Sequence, residues 1–310
     1  MKVLVTGARG QLARSLVERA ASRGHLQIVA IGRPGLDLER EGSAASAIEA
    51  LRPDIVVNAA AYTAVDAAED EPQLAFRINA DGAGEIAAAA AGIGARVIQV
   101  STDYVFDGGN AEPYRERDPT HPLGVYGASK LAGEERVRGA NPCHVIVRTA
   151  WLYSPFGRNF VTTIMEAARV RDVLTVVDDQ VGNPTSAIDL AEGLLSMTDA
   201  WGDSPELGIG ETYHLAGSGV ASWFALADQV MGEARKHGVA SAEVRPIGTA
   251  DWPTRADRPV NSILNSEKFA SAFGFIMPDW RKSVSSVVGR LAGEALAASA
   301  SGTAAQSDTA

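Results

Sequence analysis

Residues 2–13 read KVLVTGARGQLA. Val3, Leu4 and Val5 are apolar on consecutive positions, the mark of a short strand covered on both faces. Gly7 and Gly10 follow, and Ala13 completes a G-x-x-G-x-x-A spacing that runs into a helical stretch. Glycine permits the tight turn and lets a pyrophosphate come close to backbone N–H groups, and a helix N-terminus favours the anion. A plain glycine turn looks the same in isolation. This one follows a strand, precedes a helix and begins a βαβ pattern, which is the placement of a dinucleotide site.

Outward from that stretch the alternation repeats. QIVAIG (27–32), DIVVNAAA (54–61), RVIQVST (96–102) and HVIVRTAWL (144–152) are further strand candidates, and residues 11–22, 43–51, 67–91 and 129–138 are helical in pattern. The arrangement predicts an α/β fold: a Rossmann-type doubly wound parallel sheet with helices on both faces and ligands at the strand C-terminal edge. After about residue 155 the texture changes. LTVVDDQVGNPTS (174–186) is loop-rich, while TYHLAG (212–217) and AEVRPIG (242–248) are short segments of a smaller mixed α/β lobe. The expected division is an NAD(P)-binding domain over 1–155 with later segments returning to it, a second lobe over 156–290, and a small, polar flexible tail over 291–310.

Composition narrows the partners. The 310-residue chain carries a net charge of -10, which disfavours nucleic acid and anionic lipid, since both reward basic patches. Cys143 is the only cysteine, so no disulfide within the chain and no multi-thiolate metal site is expected. The five histidines, His25, His121, His144, His214 and His237, are scattered. The apolar run at the start gives way to glycine before a signal-peptide core could form, and no stretch of about twenty apolar residues follows. A cytoplasmic protein, monomeric or homodimeric, with no membrane or nucleic-acid partner, is the expectation.

The end of the second strand bears on the cofactor. A carboxylate there binds a ribose 2′-hydroxyl, whereas an arginine accepts a 2′-phosphate. Gly32-Arg33 points to NADPH. Asp37 and Leu38, in the loop beyond, can instead line the adenine pocket, which leaves NADH open. NAAAYT (58–63) closes the third strand with small residues, as a cofactor crossing the sheet edge requires.

Chemistry enters at VYGASKLAGEE (125–135). Tyr126 and Lys130 stand four apart, on one face of a helix. Bringing a phenol near neutrality takes about three pKa units, or about 4 kcal/mol, and an ammonium about 4 Å away at an effective dielectric of about 20 supplies that much. A Tyr-x-x-x-Lys somewhere in this composition is a coincidence of about one in ten by counting, so position decides. The pair follows the fourth strand's Ser101-Thr102. Thr102 to polarise a carbonyl, Tyr126 to donate a proton and Lys130 to steady the phenolate and the nicotinamide ribose form a set suited to ketone reduction.

TGARGQLA, NAAAYTAVDAAE, STDYVFDG, VYGASKLAGE, RTAWLY, QVGNPT and RPVNS (258–262), in that order, resemble the extended short-chain dehydrogenase/reductases, and within them the branch acting on dTDP-4-dehydro-L-rhamnose. The resemblance covers about residues 1–290 and implies NAD(P)H-dependent reduction of a dTDP-sugar C4 ketone, with the second lobe holding the nucleotide-sugar. It implies Tyr126, Lys130 and Thr102 as catalytic. It places Gly10, Gln11 and Leu12 on the pyrophosphate, Ala61, Tyr62, Thr63 and Val100 along the cofactor, and Thr102, Asp103 and Trp151 on the sugar. Asn79 matches an asparagine that organises the site, and Arg258 and Asn261 match the nucleotide-sugar side. Ala13 replaces a third glycine. Ser15 and Ile188 stand where some relatives place carboxylates for Mg²⁺, so that metal is not expected. Other readings are an epimerase or reductase of another dTDP-sugar, or a binding subunit like the regulatory β subunit of methionine adenosyltransferase; a set built for proton transfer argues against the last.

Overall fold

The computed structural model describes residues 1–307, with side-chain surroundings through residue 297. In chain order the first half holds β1 (Lys2–Thr6), α1 (Gln11–Ala20), β2 (Gln27–Ile31), α2 (Ser43–Leu51), β3 (Ile55–Asn58), α3 (Val65–Ala68), α4 (Pro72–Phe76), α5 (Gly82–Gly92), β4 (Arg96–Thr102), α6 (Val125–Ala140) and β5 (His144–Thr149). The second half holds β6 (Leu152–Tyr153), α7 (Phe160–Ala167), β7 (Val173–Val177), β8 (Val181–Gly182), β9 (Thr185–Ser186), α8 (Ala187–Asp203), β10 (Thr212–His214), β11 (Ala221–Ser222), α9 (Trp223–Lys236), β12 (Glu243–Ile247), α10 (Glu267–Phe273) and α11 (Trp280–Ser307).

The main sheet is parallel, in the order β10-β5-β4-β3-β1-β2. Strand periodicity sorts its side chains into two cores. Val3, Val5, Ile55, Val57 and Ile98 face α1 and α8, where Leu12, Leu16, Leu190 and Trp201 are buried. Leu4, Val56 and Val97 point the other way, onto Ile48, Ile86 and Val137 of α2, α5 and α6. Because β1 leads to β2 on one side and lies beside β3 on the other, the connections diverge between β1 and β3, and a crevice opens there.

Three segments differ from expectation. TYHLAG supplies β10, the sixth strand of the main sheet, where Thr212–His214 pairs with β5. The loop-rich 174–186 contains most of β7, which pairs in parallel with β12. Each strand is too short to signal its partner by periodicity alone. The stretch 67–91 is not one helix: Pro72, which has no backbone N–H to donate, opens α4, and a π-helical turn, Arg77–Asp81, joins α4 to α5.

Apart from the two cores that flank the sheet, another lies away from it. Val161 of α7, Leu174 and Val176 of β7, Leu226 and Val230 of α9, and Trp280, Val284 and Val288 of α11 are buried together. Helix α11 runs on through Ser307 and buries Ala292, in the stretch expected as a tail; the last three residues of that stretch, 308–310, lie outside the described residues. Among the described residues no helix is long and apolar enough to cross a membrane.

Candidate active site

The glycine turn closes on itself: the Gly10 N–H donates to the Gly7 carbonyl at 2.7 Å. Gly7 has φ +77°, and a Cβ there would stand 3.1 Å from the Ala60 Cα. That combination excludes any other residue without strain. Gly10 precedes α1 with no side-chain cap, so the first N–H groups of that helix take no side-chain cap from Gly10. A tight turn, a side-chain-free approach and uncapped donors fit a pyrophosphate, and therefore the expected dinucleotide. Leu12 is buried in the core, and the Gln11 side chain accepts from the Ser154 hydroxyl at 2.9 Å.

Beneath the turn a buried amide chain locks the strand ends together. The Thr6 hydroxyl donates to Asn58 at 2.7 Å, Asn58 donates to Gln99 at 2.8 Å, and Gln99 donates to the Val100 carbonyl at 3.0 Å. The edge that carries Ala61, Tyr62 and Thr63 is thereby fixed to the edge that carries Thr102. Arg33 leaves β2 beside the turn, since Ala8 N–H bonds the Ile31 carbonyl at 3.1 Å. Its guanidinium pairs with Glu39 at 2.9 Å and is 70% exposed. A pair that exposed contributes under about 1 kcal/mol, so a phosphate can compete for it. Asp37 caps its own loop by accepting the Glu39 N–H at 3.2 Å, and Leu38 is buried against Gly82.

Helix α6 brings Tyr126 and Lys130 to the end of β4. Lys130 is buried, and its ammonium donates to the Val100 carbonyl at 2.7 Å. Burial pulls it down to about 8, while Glu134 one turn later pulls it back up. The Tyr126 phenol differs from expectation: burial pushes it up to about 12, the Thr102 hydroxyl beside it opposes, and the Asp103 charge adds to the rise. Lys130 thus does not hold the phenol near neutrality. Its ammonium is held by the strand carbonyl, and desolvation of the phenol dominates over the Thr102 hydrogen bond.

Thr102 donates its hydroxyl to Asp103 at 3.0 Å and accepts from the Tyr104 N–H at 3.2 Å. Burial raises the Asp103 carboxyl to about 6, with the Ser262 and Thr102 hydroxyls offsetting part of the rise. One of its oxygens, Oδ2, is buried and accepts no well-formed hydrogen bond. Ser262 also accepts from the Trp151 indole N–H at 3.2 Å. Trp151 itself holds a left-handed backbone, φ +45°, and stacks on Trp223 with ring centres 3.6 Å apart. Ser262 and Trp223 escaped the sequence reading: a serine in RPVNS and a tryptophan opening α9 carry no motif, and only the fold brings them to Trp151.

Asn79 lies on the π turn. It accepts the Tyr62 N–H at 2.8 Å and donates to the Tyr62 carbonyl and the Ser129 hydroxyl, each at 3.0 Å, so it ties the Ala61–Thr63 edge to helix α6. Arg258 grips Asp66 through two bonds, at 3.1 and 2.8 Å, and touches Tyr104, whose ring meets Tyr126 edge-on at 5.8 Å. It borders the site. Asn261 is held by its own neighbours: its amide donates to the Asn110 carbonyl at 2.6 Å and its oxygen accepts the Ile263 N–H at 2.9 Å. Ser15 is buried with its hydroxyl on the Gln11 carbonyl, and among the described residues no three His, Cys, Asp or Glu side chains are grouped to hold a metal.

Known proteins share this plan. A family model described as "RmlD substrate binding domain" matches residues 1–292. The dTDP-4-dehydrorhamnose reductase of Sinorhizobium fredii is 44% identical over 288 residues, covering 93% of this chain and 97% of that protein. The crystal structure of a dTDP-4-dehydrorhamnose reductase from Clostridium acetobutylicum superposes with a TM-score of 0.86 at 37% identity, over 94% of this chain and 99% of the other. The Bacillus anthracis enzyme, crystallised in complex with NADP, gives 0.84 at 35% identity, over 92% and 98%. Taken with the glycine turn and the Thr102, Tyr126 and Lys130 cluster, these matches show that the chain belongs to the dTDP-4-dehydrorhamnose reductase family.

Proposed function

We propose that this protein reduces the C4 ketone of dTDP-4-dehydro-L-rhamnose to give dTDP-L-rhamnose, using NADPH or NADH. The single observation that carries the reading is the convergence of Thr102, Tyr126 and Lys130 beside a glycine turn that fits a pyrophosphate. The bound nicotinamide supplies the hydride. Every other demand of the reaction falls on residues of this chain.

As the C4 oxygen gains negative charge it becomes more basic than a phenolate, so a phenol near 12 still gives up its proton to it. A donor must begin protonated, and burial ensures that for Tyr126 at neutral pH. Lys130, ammonium below about 8, steadies the phenolate left behind and would hold the nicotinamide ribose. Asp103 orients the Thr102 hydroxyl and offers Oδ2 to a sugar hydroxyl, while Trp151 presents an apolar face to the ring. Gly7, Gly10 and the start of α1 hold the pyrophosphate, and Arg33 is available to a 2′-phosphate, which favours NADPH.

Incubation with dTDP-4-dehydrorhamnose and either nucleotide, with oxidation followed by absorbance and the product sugar identified by NMR, tests the reading. Tyr126→Phe removes the transferable proton alone and should lower kcat by about 100-fold or more with cofactor binding retained. Turnover near wild type in that variant overturns the role of Tyr126. A wild-type protein that binds the cofactor yet leaves the ketone unreduced overturns the reaction and favours the binding-subunit reading.

A further inference from the structure

Glu134 takes no part in the chemistry above, yet its side chain is fully buried one helical turn beyond Lys130. Its Oε1 accepts from the Ser101 hydroxyl at 2.6 Å and from Arg148 Nε at 2.9 Å. Its Oε2 accepts from Arg148 at 2.7 Å and Arg138 at 3.0 Å. Ser101 lies between Val100, whose carbonyl holds the Lys130 ammonium, and Thr102. Two side chains four apart on α6 therefore staple the helix to consecutive residues at the end of β4. A buried ion pair is a poor stabiliser, because desolvation offsets most of the attraction and an apolar pair packs as well. Its position against Lys130 gives it a task that packing does not.

Tyr126, Glu134 and Arg138 share the helix of Lys130, Asp103 follows β4, Arg148 lies on β5 and His214 on β10, and of these Glu134 is the charge that acts on Lys130. Burial and Arg148 push His214 down to about 3, and Tyr126 stands near 12, so both are neutral at physiological pH. Glu134, held charged by Arg148 against its own burial, is the carboxylate that opposes the desolvation of Lys130.

We propose that Glu134 is a positioning residue of the reductase: it fixes the Val100–Thr102 strand end against α6 and sets a buried negative charge one helical turn from the Lys130 ammonium. This rests on the reductase reading. Lys130 acts as a cation, so activity falls as pH rises through its pKa. Removing the neighbouring negative charge lowers that pKa and moves the fall to lower pH, by about one unit.

Glu134→Gln keeps the shape and the acceptor for Ser101 while removing the charge. Its alkaline limb of kcat/KM should move down by about one pH unit, whereas Ser101→Ala, which removes the staple and keeps the charge, should lower kcat with the limb in place. Because Glu134→Gln leaves Arg148 buried without a counter-charge, the paired Glu134→Gln/Arg148→Gln variant provides a second version with the same direction of shift. Titration of ¹³Cε-labelled lysines by NMR, with Lys130 assigned through Lys130→Met, reads the same pKa without turnover. An unmoved Lys130 titration in a folded variant, or equal loss of activity at every pH, overturns the inference. Failure of the wild-type protein to reduce the ketone overturns the reductase reading, and the NMR titration still decides the role of Glu134.

Discussion

Asp103 shows how one buried side chain links stability to recognition. Its carboxyl stands near 6 in the folded chain against 3.8 for an ordinary aspartate, a rise caused first by burial. A raised acid is a cost to the folded state at pH values above its folded pKa, and the cost disappears as pH falls toward the unfolded value. About two units correspond to about 3 kcal/mol. Asp103→Asn should therefore stabilise the protein at pH 8 by up to about 3 kcal/mol and have little effect at pH 4, as measured by denaturant unfolding at the two pH values. Equal effects at both would mean that charge is not the cause. The same change should impair turnover, because the amide keeps one acceptor oxygen for the Thr102 hydroxyl but puts an NH₂ donor in place of Oδ2, the oxygen proposed to receive a sugar hydroxyl. The arrangement exchanges stability for a poised acceptor.

Helix α6 carries the proposed proton donor, the ammonium and the buried carboxylate on one rod, so its seating sets three positions at once. Gly127 shows how close that seating is: a Cβ there would stand 2.1 Å from the Tyr104 carbonyl oxygen. An alanine in a helix interior ordinarily gains about 1 kcal/mol over glycine. At Gly127 the sign should reverse, with a loss of about 2 kcal/mol and a fall in kcat as the helix is pushed off β4. Gly139 in the same helix meets nothing within 4 Å, so Gly139→Ala should stabilise and serves as the internal control. Thermal unfolding of both variants gives the comparison, and a stabilised Gly127→Ala would contradict the close approach. Asn79 depends on an element in the same way. The π turn at Arg77–Asp81 places Asn79 against both Tyr62 and Ser129, and an uninterrupted helix over 67–91 would present a different face.

Across the whole molecule, two cores meet at the site. The sheet core fixes the glycine turn, Thr102 and α6, while Trp151 leans on Trp223 at the edge of the second core. Trp280, 1% exposed and bonded through its carbonyl to the Tyr153 hydroxyl at 3.3 Å, anchors that second core. Trp280→Ala should cost about 3–5 kcal/mol and raise KM for the sugar more than it weakens cofactor binding. Unfolding curves and paired measurements of KM and cofactor Kd check this, and equal effects on both would show the two lobes acting as one. Much of this was legible in the sequence. The consecutive apolar strands and the glycine spacing determined a doubly wound sheet, since such runs persist only when both faces are covered, and the Tyr126 and Lys130 spacing needs only the helical repeat. Other features depend on contacts between residues far apart in the chain. β10 joins the main sheet from more than sixty residues beyond β5, Ser262 reaches Asp103 and Trp151, and Asn261 donates to the Asn110 carbonyl. The protonation of the site belongs there too: the sequence determined which groups are present and their order, whereas burial, a property of the packed chain alone, decided that Tyr126 rises, that Lys130 falls and that Glu134 stands opposite it.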